Sequence, residues 1–103
     1  MSQRLSMLDN MIAKGSQDPF VFYARAMELR GLGRRQEAMD AFRKLRESHP
    51  DYVPSYLMAG QLAVELGDGA LAREFFEQGQ RVAQAAGDEH AHAELSRELA
   101  ALT

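Results

Sequence analysis

One segment of this sequence occurs twice, with its copies 34 residues apart: FYARAMELRGLGRRQEAMDAF at 22–42 and YLMAGQLAVELGDGALAREFF at 56–76. Six pairs of positions at this offset agree in residue type, namely Phe22/Tyr56, Ala26/Gly60, Leu32/Leu66, Gly33/Gly67, Ala38/Ala72 and Phe42/Phe76. Apolar residues in each copy recur at helical spacing, whereas the alternation typical of a strand never holds. Because self-similarity at a fixed period indicates a repeat architecture, the sequence predicts stacked helical units.

Residues that begin and end helices separate the predicted units. Asp18 offers a capping carboxylate, and Pro19 follows it at the first helical position, where a missing N–H is tolerated. The turn that ends at Gly33 stops this helix, since glycine adopts a left-handed conformation at low cost. Asp68 is expected to cap a helix over about 69–86. Six helices joined by short loops are predicted along the chain.

The chain resembles the tetratricopeptide repeat family, whose unit is a hairpin of two helices about 34 residues long. The family pattern alternates large and small residues and closes on a proline. The first unit, 19–52, follows that pattern at Phe22, Ala26, Leu29, Ala38, Phe42 and Pro50. The second unit, 53–86, follows it at Tyr56, Gly60, Ala72, Phe76 and Gly79. Gln84 replaces the closing proline of the second unit, so the fifth helix is expected to run on past the usual length.

The resemblance implies an all-α fold, a right-handed stack of antiparallel helical hairpins in a single domain over 1–103. Its expected parts are an N-terminal helix within 1–17, the repeats 19–52 and 53–86, and a C-terminal capping helix within 87–103. Small residues in the pattern let the two helices of a hairpin cross closely. The sequence leaves open which methionines fill the core, a question that concerns Met7, Met11, Met39 and Met58.

Composition restricts the chemistry that this chain can perform. It has no cysteine, which excludes disulfides and thiolate sites, and no apolar run of about 18–20 residues that could span a membrane. His90 and His92 lie about 200° apart around a helix, so one metal cannot bind both. We expect no catalytic, cofactor-binding or metal-binding residue and a non-enzymatic protein. The N-terminus lacks the apolar core of an export signal, which favours a cytoplasmic location.

Charge is distributed unevenly along the chain. Residues 1–47 hold nine Lys/Arg and six Asp/Glu, whereas residues 48–103 hold three and nine. Nucleic-acid binding is not expected, because the net charge is −3 and no exposed aromatic residues interleave the arginines. A solvated charged face explains most of the pattern. The opposite-sign halves also favour an acidic partner or head-to-tail self-association.

In the tetratricopeptide repeat family, the first helices of successive hairpins line a concave groove that binds partner peptides. Carried over by position, the expected partner-binding residues are Phe20, Tyr23, Met27, Arg30, Leu57, Gln61 and Glu65. This set is mainly apolar and lacks the lysine and asparagine of the family's carboxylate clamp. The resemblance therefore implies an adaptor that binds an amphipathic helix or apolar peptide of another protein. Two alternatives stay open: a homodimer interface, or a groove filled by a flanking helix.

Overall fold

The computed structural model describes residues 2–102, and over that range it contains six α-helices and no strand. The helices are α1 (Gln3–Ala13), α2 (Pro19–Gly31), α3 (Arg35–Ser48), α4 (Pro54–Glu65), α5 (Gly69–Ala86) and α6 (Glu89–Ala101). They confirm the predicted all-α helical-repeat fold. The chain forms two compact units, one ending at His49 and the other beginning at Pro50. The predicted single domain with repeats at 19–52 and 53–86 stays a prediction, and its end positions 1 and 103 lie outside the described residues.

Aspartate side chains begin three of the helices, at Asp18 and Asp68 as the sequence predicts and also at Asp88. Each carboxylate accepts a hydrogen bond of 3.0 Å from a backbone N–H in the first turn, with the pairs Asp18/Phe20, Asp68/Leu71 and Asp88/Ala91. These bonds satisfy donors that the helix itself cannot pair, and the negative charge suits the positive end of the helix dipole.

The two longest helices end for different reasons. After α3 ends at Ser48, Pro50 prevents continuation because a proline disfavours helical geometry in the residue before it. Gln84 imposes no such restriction, and α5 continues to Ala86 over 18 residues. Gly87 then closes α5 in the left-handed conformation at φ +71°.

In the first unit, α2 packs against both α1 and α3. Leu8, Val21 and Ala24 form a buried cluster at the α1–α2 contact, and Ile12 packs at its edge. On the α3 side the fully buried residues include Ala26, Leu29, Ala38, Met39, Phe42 and Leu45. Burial of these side chains supplies the main stabilisation of the unit.

Polar contacts join α1 to α2 at two positions along the helices. Near the start of α1, the Ser2 hydroxyl donates to Glu28 Oε2 at 2.9 Å, and Arg4 Nε lies 3.7 Å from Glu28 Oε1. One turn beyond, Arg25 Nε donates to Asp9 Oδ1. These contacts fix which face of α1 meets its neighbour.

In the second unit, α4 crosses α5 closely and α6 packs mainly on α5. Gly60 lies against the Phe76 ring, and Gly79 lies against Tyr56 and Leu95, so neither glycine has room for a side chain. The small residues of the repeat pattern therefore stand where helices approach one another most closely. Leu95 is the one residue of α6 that is fully buried among those described.

Candidate partner-binding surface

Four of the predicted partner-binding residues lie on α2, in the first unit. Their spacing of three and four positions places Phe20, Tyr23, Met27 and Arg30 on one side of that helix. Phe20 is 56% exposed, and the other three are half-buried. The Tyr23 ring lies 6.4 Å from that of Phe20 and 6.4 Å from that of Phe42, measured between centroids. Tyr23 thus joins an exposed aromatic residue to a buried one on α3.

Burial and a neighbouring charge shift the pKa of the Tyr23 phenol in opposite directions. Partial burial raises the pKa of the Tyr23 phenol above its ordinary value of 10.0, while the neighbouring Arg30 cation opposes that increase. The phenol is therefore neutral at physiological pH and keeps its hydrogen-bond donor. A half-buried aromatic side chain with a polar tip is a residue type that protein interfaces favour.

The other three predicted residues lie on α4, in the second unit. Leu57 and Gln61 are half-buried, and Glu65 is exposed at the end of the helix. Gln61 Nε2 donates to Glu98 Oε1 on α6 at 2.9 Å, so a flanking helix uses the amide of one predicted residue. Sequence reasoning missed this contact because Glu98 fits the pattern of a solvated face. Val64, at 48% exposed, adds apolar surface beside Glu65.

A second apolar feature of the first unit was also missed. Met39 is fully buried and Met58 is half-buried, but Met7 and Met11 on α1 are 59% and 41% exposed. Met7 lies with Phe20 in a shallow surface notch of about 430 Å³. The residues lining that notch are Gln3, Arg4, Met7, Leu8, Phe20 and Ala24.

Two of the three histidines contact neighbouring side chains. His90 Nε2 lies 3.0 Å from Glu94 Oε1 on the surface of α6. His49 packs its ring 6.1 Å from that of Phe22, and its Nε2 is buried without a hydrogen-bond partner. Across residues 2–102, no group of three or more His, Cys, Asp or Glu side chains could hold a metal ion. No helix in the same range is sufficiently long and apolar to cross a membrane.

Comparisons with known proteins extend these observations. The family model of the tetratricopeptide repeat matches residues 53–85. The solution NMR structure of a tetratricopeptide repeat domain protein from Salinibacter ruber is 32% identical, covers 81% of this chain and 84% of that chain, and has a TM-score of 0.78. A crystal structure of a tetratricopeptide repeat domain protein from Salinibacter ruber is 33% identical, covers 80% and 92%, and has a TM-score of 0.76. No curated protein matches the chain.

The solution structure of a protein from Bordetella parapertussis shares the fold, with a TM-score of 0.83 over 99% of this chain and 89% of that chain at 24% identity. The fold and the internal repeat thus define a helical-repeat protein. More specifically, the chain belongs to the tetratricopeptide repeat family, as its identity to the Salinibacter ruber proteins shows. Proteins with this fold generally mediate protein–protein interactions, and they are generally non-enzymatic scaffolds.

Proposed function

We propose that this protein is a non-enzymatic interaction module that binds a peptide or helix of a partner protein, with contact residues on the exposed side of α2 in the first unit and, separately, on α4 in the second unit. The observation that carries this proposal is Phe20, a large aromatic side chain left more than half exposed at the start of α2. Tyr23 and Met27 continue the same side of the helix. Aromatic side chains dominate binding energy at protein interfaces, and methionine adapts its shape to different partners.

Each of these helices carries a charged residue at the edge of its own proposed contact residues. Arg30 lies near the end of α2, and Glu65 is the last residue of α4. Charges at the rim of an interface mainly affect the association rate and the choice of partner, whereas the apolar centre supplies affinity. On α4 the centre is Leu57, because Gln61 is already hydrogen-bonded to α6.

Replacing Phe20 tests the proposal with little risk to the fold. Peptides selected by display on the wild-type protein should lose at least tenfold in affinity for Phe20→Ser, since an interface anchor is worth roughly 2 kcal/mol. The free energy of unfolding should change by no more than about 0.5 kcal/mol, because the ring is mainly exposed. Isothermal titration calorimetry and urea denaturation measure the two quantities.

Leu32→Ser is the matched control, since Leu32 is a large apolar residue of the same unit, 44% exposed and beyond the end of α2. It should leave peptide affinity unchanged within about twofold. Leu57→Ser asks the same question of α4. Selected peptides that bind both Phe20→Ser and Leu57→Ser as tightly as wild type would contradict the proposal.

The alternative, a homodimer interface on the same residues, predicts a dimer in solution, whereas the proposal predicts a monomer. We expect light scattering over a dilution series to give the monomer mass of 11.5 kDa at tens of micromolar protein. A dimer that Phe20→Ser dissociates would show that the surface serves self-association instead.

A further inference from the structure

Helix α1 carries two separate rows of residues. Leu5, Leu8 and Ile12 face the rest of the first unit, and the first two are buried. A different face bears Arg4, Met7, Met11 and Lys14, which follow one another at steps of three and four residues and are all exposed. We call this second row the α1 stripe. Lys14 belongs to it as the residue that caps the end of the helix.

The α1 stripe and its immediate surroundings carry exposed apolar surface. Of the six large hydrophobic residues exposed between positions 2 and 102, Met7, Met11 and Phe20 lie on α1 or beside it. Met7 and Met11 are one turn apart, and Phe20 shares the notch next to Met7. Single exposed apolar residues are ordinary on protein surfaces, but a cluster flanked by charges indicates an interaction site.

The charges of the stripe limit what can cover it. Arg4 and Lys14 are ten positions apart, so they lie about 15 Å from each other at the two ends of the apolar pair. The Arg4 side chain is 63% exposed despite its contact with Glu28, so a further carboxylate can reach it. The one acidic residue of α1, Asp9, is bound to Arg25 on another face. The stripe is therefore apolar at its centre and positive at both ends.

A second copy of the chain fits this pattern poorly. Two α1 stripes in antiparallel contact would place Arg4 of one copy against Lys14 of the other, and a parallel contact would place Arg4 against Arg4. Like charges brought together at an interface oppose association. A partner with negative charge at both ends of an apolar centre has no such cost.

We propose that the α1 stripe binds an acidic amphipathic helix of another protein. Two apolar residues one turn apart on that helix contact Met7 and Met11, and two carboxylates ten positions apart pair with Arg4 and Lys14. This mode needs only one exposed helix face on each side. Its contact residues are Arg4, Met7, Met11 and Lys14, which differ from those proposed on α2 and α4, although Phe20 adjoins Met7 in the same notch.

Two synthetic helical peptides test the charge pattern directly. Both carry a leucine pair in the spacing Glu-x-x-Leu-x-x-x-Leu-x-x-Glu, and lysines replace the two glutamates in the second peptide. We expect the full chain to bind the glutamate peptide about tenfold more tightly, since two exposed ion pairs separate the two cases. The difference should shrink in about 1 M salt, where such pairs are screened. Fluorescence anisotropy gives both affinities.

Variants of the stripe complete the test. Arg4→Glu with Lys14→Glu should reverse the preference so that the lysine peptide binds more tightly. Arg43→Glu with Lys44→Glu makes the same charge change on the exposed side of α3 and should preserve the preference. Met7→Ser with Met11→Ser should weaken the glutamate peptide about tenfold while circular dichroism shows an unchanged helix content.

Several results would overturn the proposal. Equal affinity for the two peptides, or an unchanged preference in the Arg4→Glu, Lys14→Glu protein, removes the role of charge. A dimer that Met7→Ser with Met11→Ser dissociates would show that a second copy covers the stripe. Binding to phosphatidylserine vesicles without binding to the glutamate peptide would make the stripe a membrane contact. Peptide binding lost only in Leu57→Ser would place the peptide on α4.

Discussion

Gly60→Leu is expected to destabilise the protein by about 3 kcal/mol, because overpacking a helix crossing forces buried groups apart. A Cβ atom at Gly60 would lie against the Phe76 ring, 2.6 Å from Cδ1 and 2.8 Å from Cζ. The Phe76 side chain is fully buried, and close packing leaves it little room to rotate away. Urea denaturation followed by circular dichroism measures the loss, which should also lower the melting temperature.

Gly31→Leu is the matched control, since Gly31 is also helical and an added Cβ there meets nothing within 4 Å. Leucine has a higher helix propensity than glycine by about 0.5–1 kcal/mol, so this control should be neutral or slightly stabilising. The same gain applies at Gly60, where packing must outweigh it. A Gly60→Leu protein with the wild-type melting temperature would mean that Gly60 does not stand at the crossing of α4 and α5.

Much of the architecture follows from the internal repeat. The offset that pairs Gly60 with Ala26 and Phe76 with Phe42 identifies the small and large positions from spacing alone. The length of α5 is likewise predictable, because Gln84 leaves the helix free to continue where a proline would end it. These features depend on neighbouring residues or on the repeat, so the sequence alone predicts them.

The repeat does not determine which face of α1 is buried. Leu5 and Leu8 obey helical spacing, and so do Met7 and Met11, so periodicity alone permits either pair to face α2. The choice depends on Val21 and Ala24 across the contact and on the ion pair between Asp9 and Arg25, all of which are distant in sequence.

For the candidate binding residues too, helical spacing predicts some features, while others depend on contacts with residues distant in sequence. Helical spacing puts Phe20, Tyr23 and Met27 on one side of α2, but it cannot give their different exposures. The use of Gln61 by Glu98 joins residues 37 positions apart and depends on how α6 packs. Contacts of this kind decide which predicted residues have side-chain groups left for a partner.

Ala38→Glu should destabilise the protein by about 3–5 kcal/mol, because it places a charged group at a position that is fully shielded from water. Ala38 is fully buried in α3, among the side chains that α3 packs against α2. A loss of this size is a large share of the roughly 5–15 kcal/mol typical of a domain, so the variant should be partly unfolded at physiological temperature. Differential scanning calorimetry and urea denaturation measure the change.

Gln36→Glu is the control for Ala38→Glu, since it adds a carboxylate two residues away on the exposed side of α3. It should be neutral or slightly stabilising, because negative charge is favourable near a helix N-terminus.

The pH dependence of the stability lost in Ala38→Glu separates the effect of charge from that of side-chain size. Burial raises the pKa of the carboxyl introduced at position 38 above its unfolded value, so the folded state binds its proton more tightly. The deficit relative to wild type should therefore be largest at neutral pH and shrink as pH falls through the folded pKa towards the unfolded one. A deficit that stays constant down to about pH 4 would assign the effect to side-chain volume rather than charge.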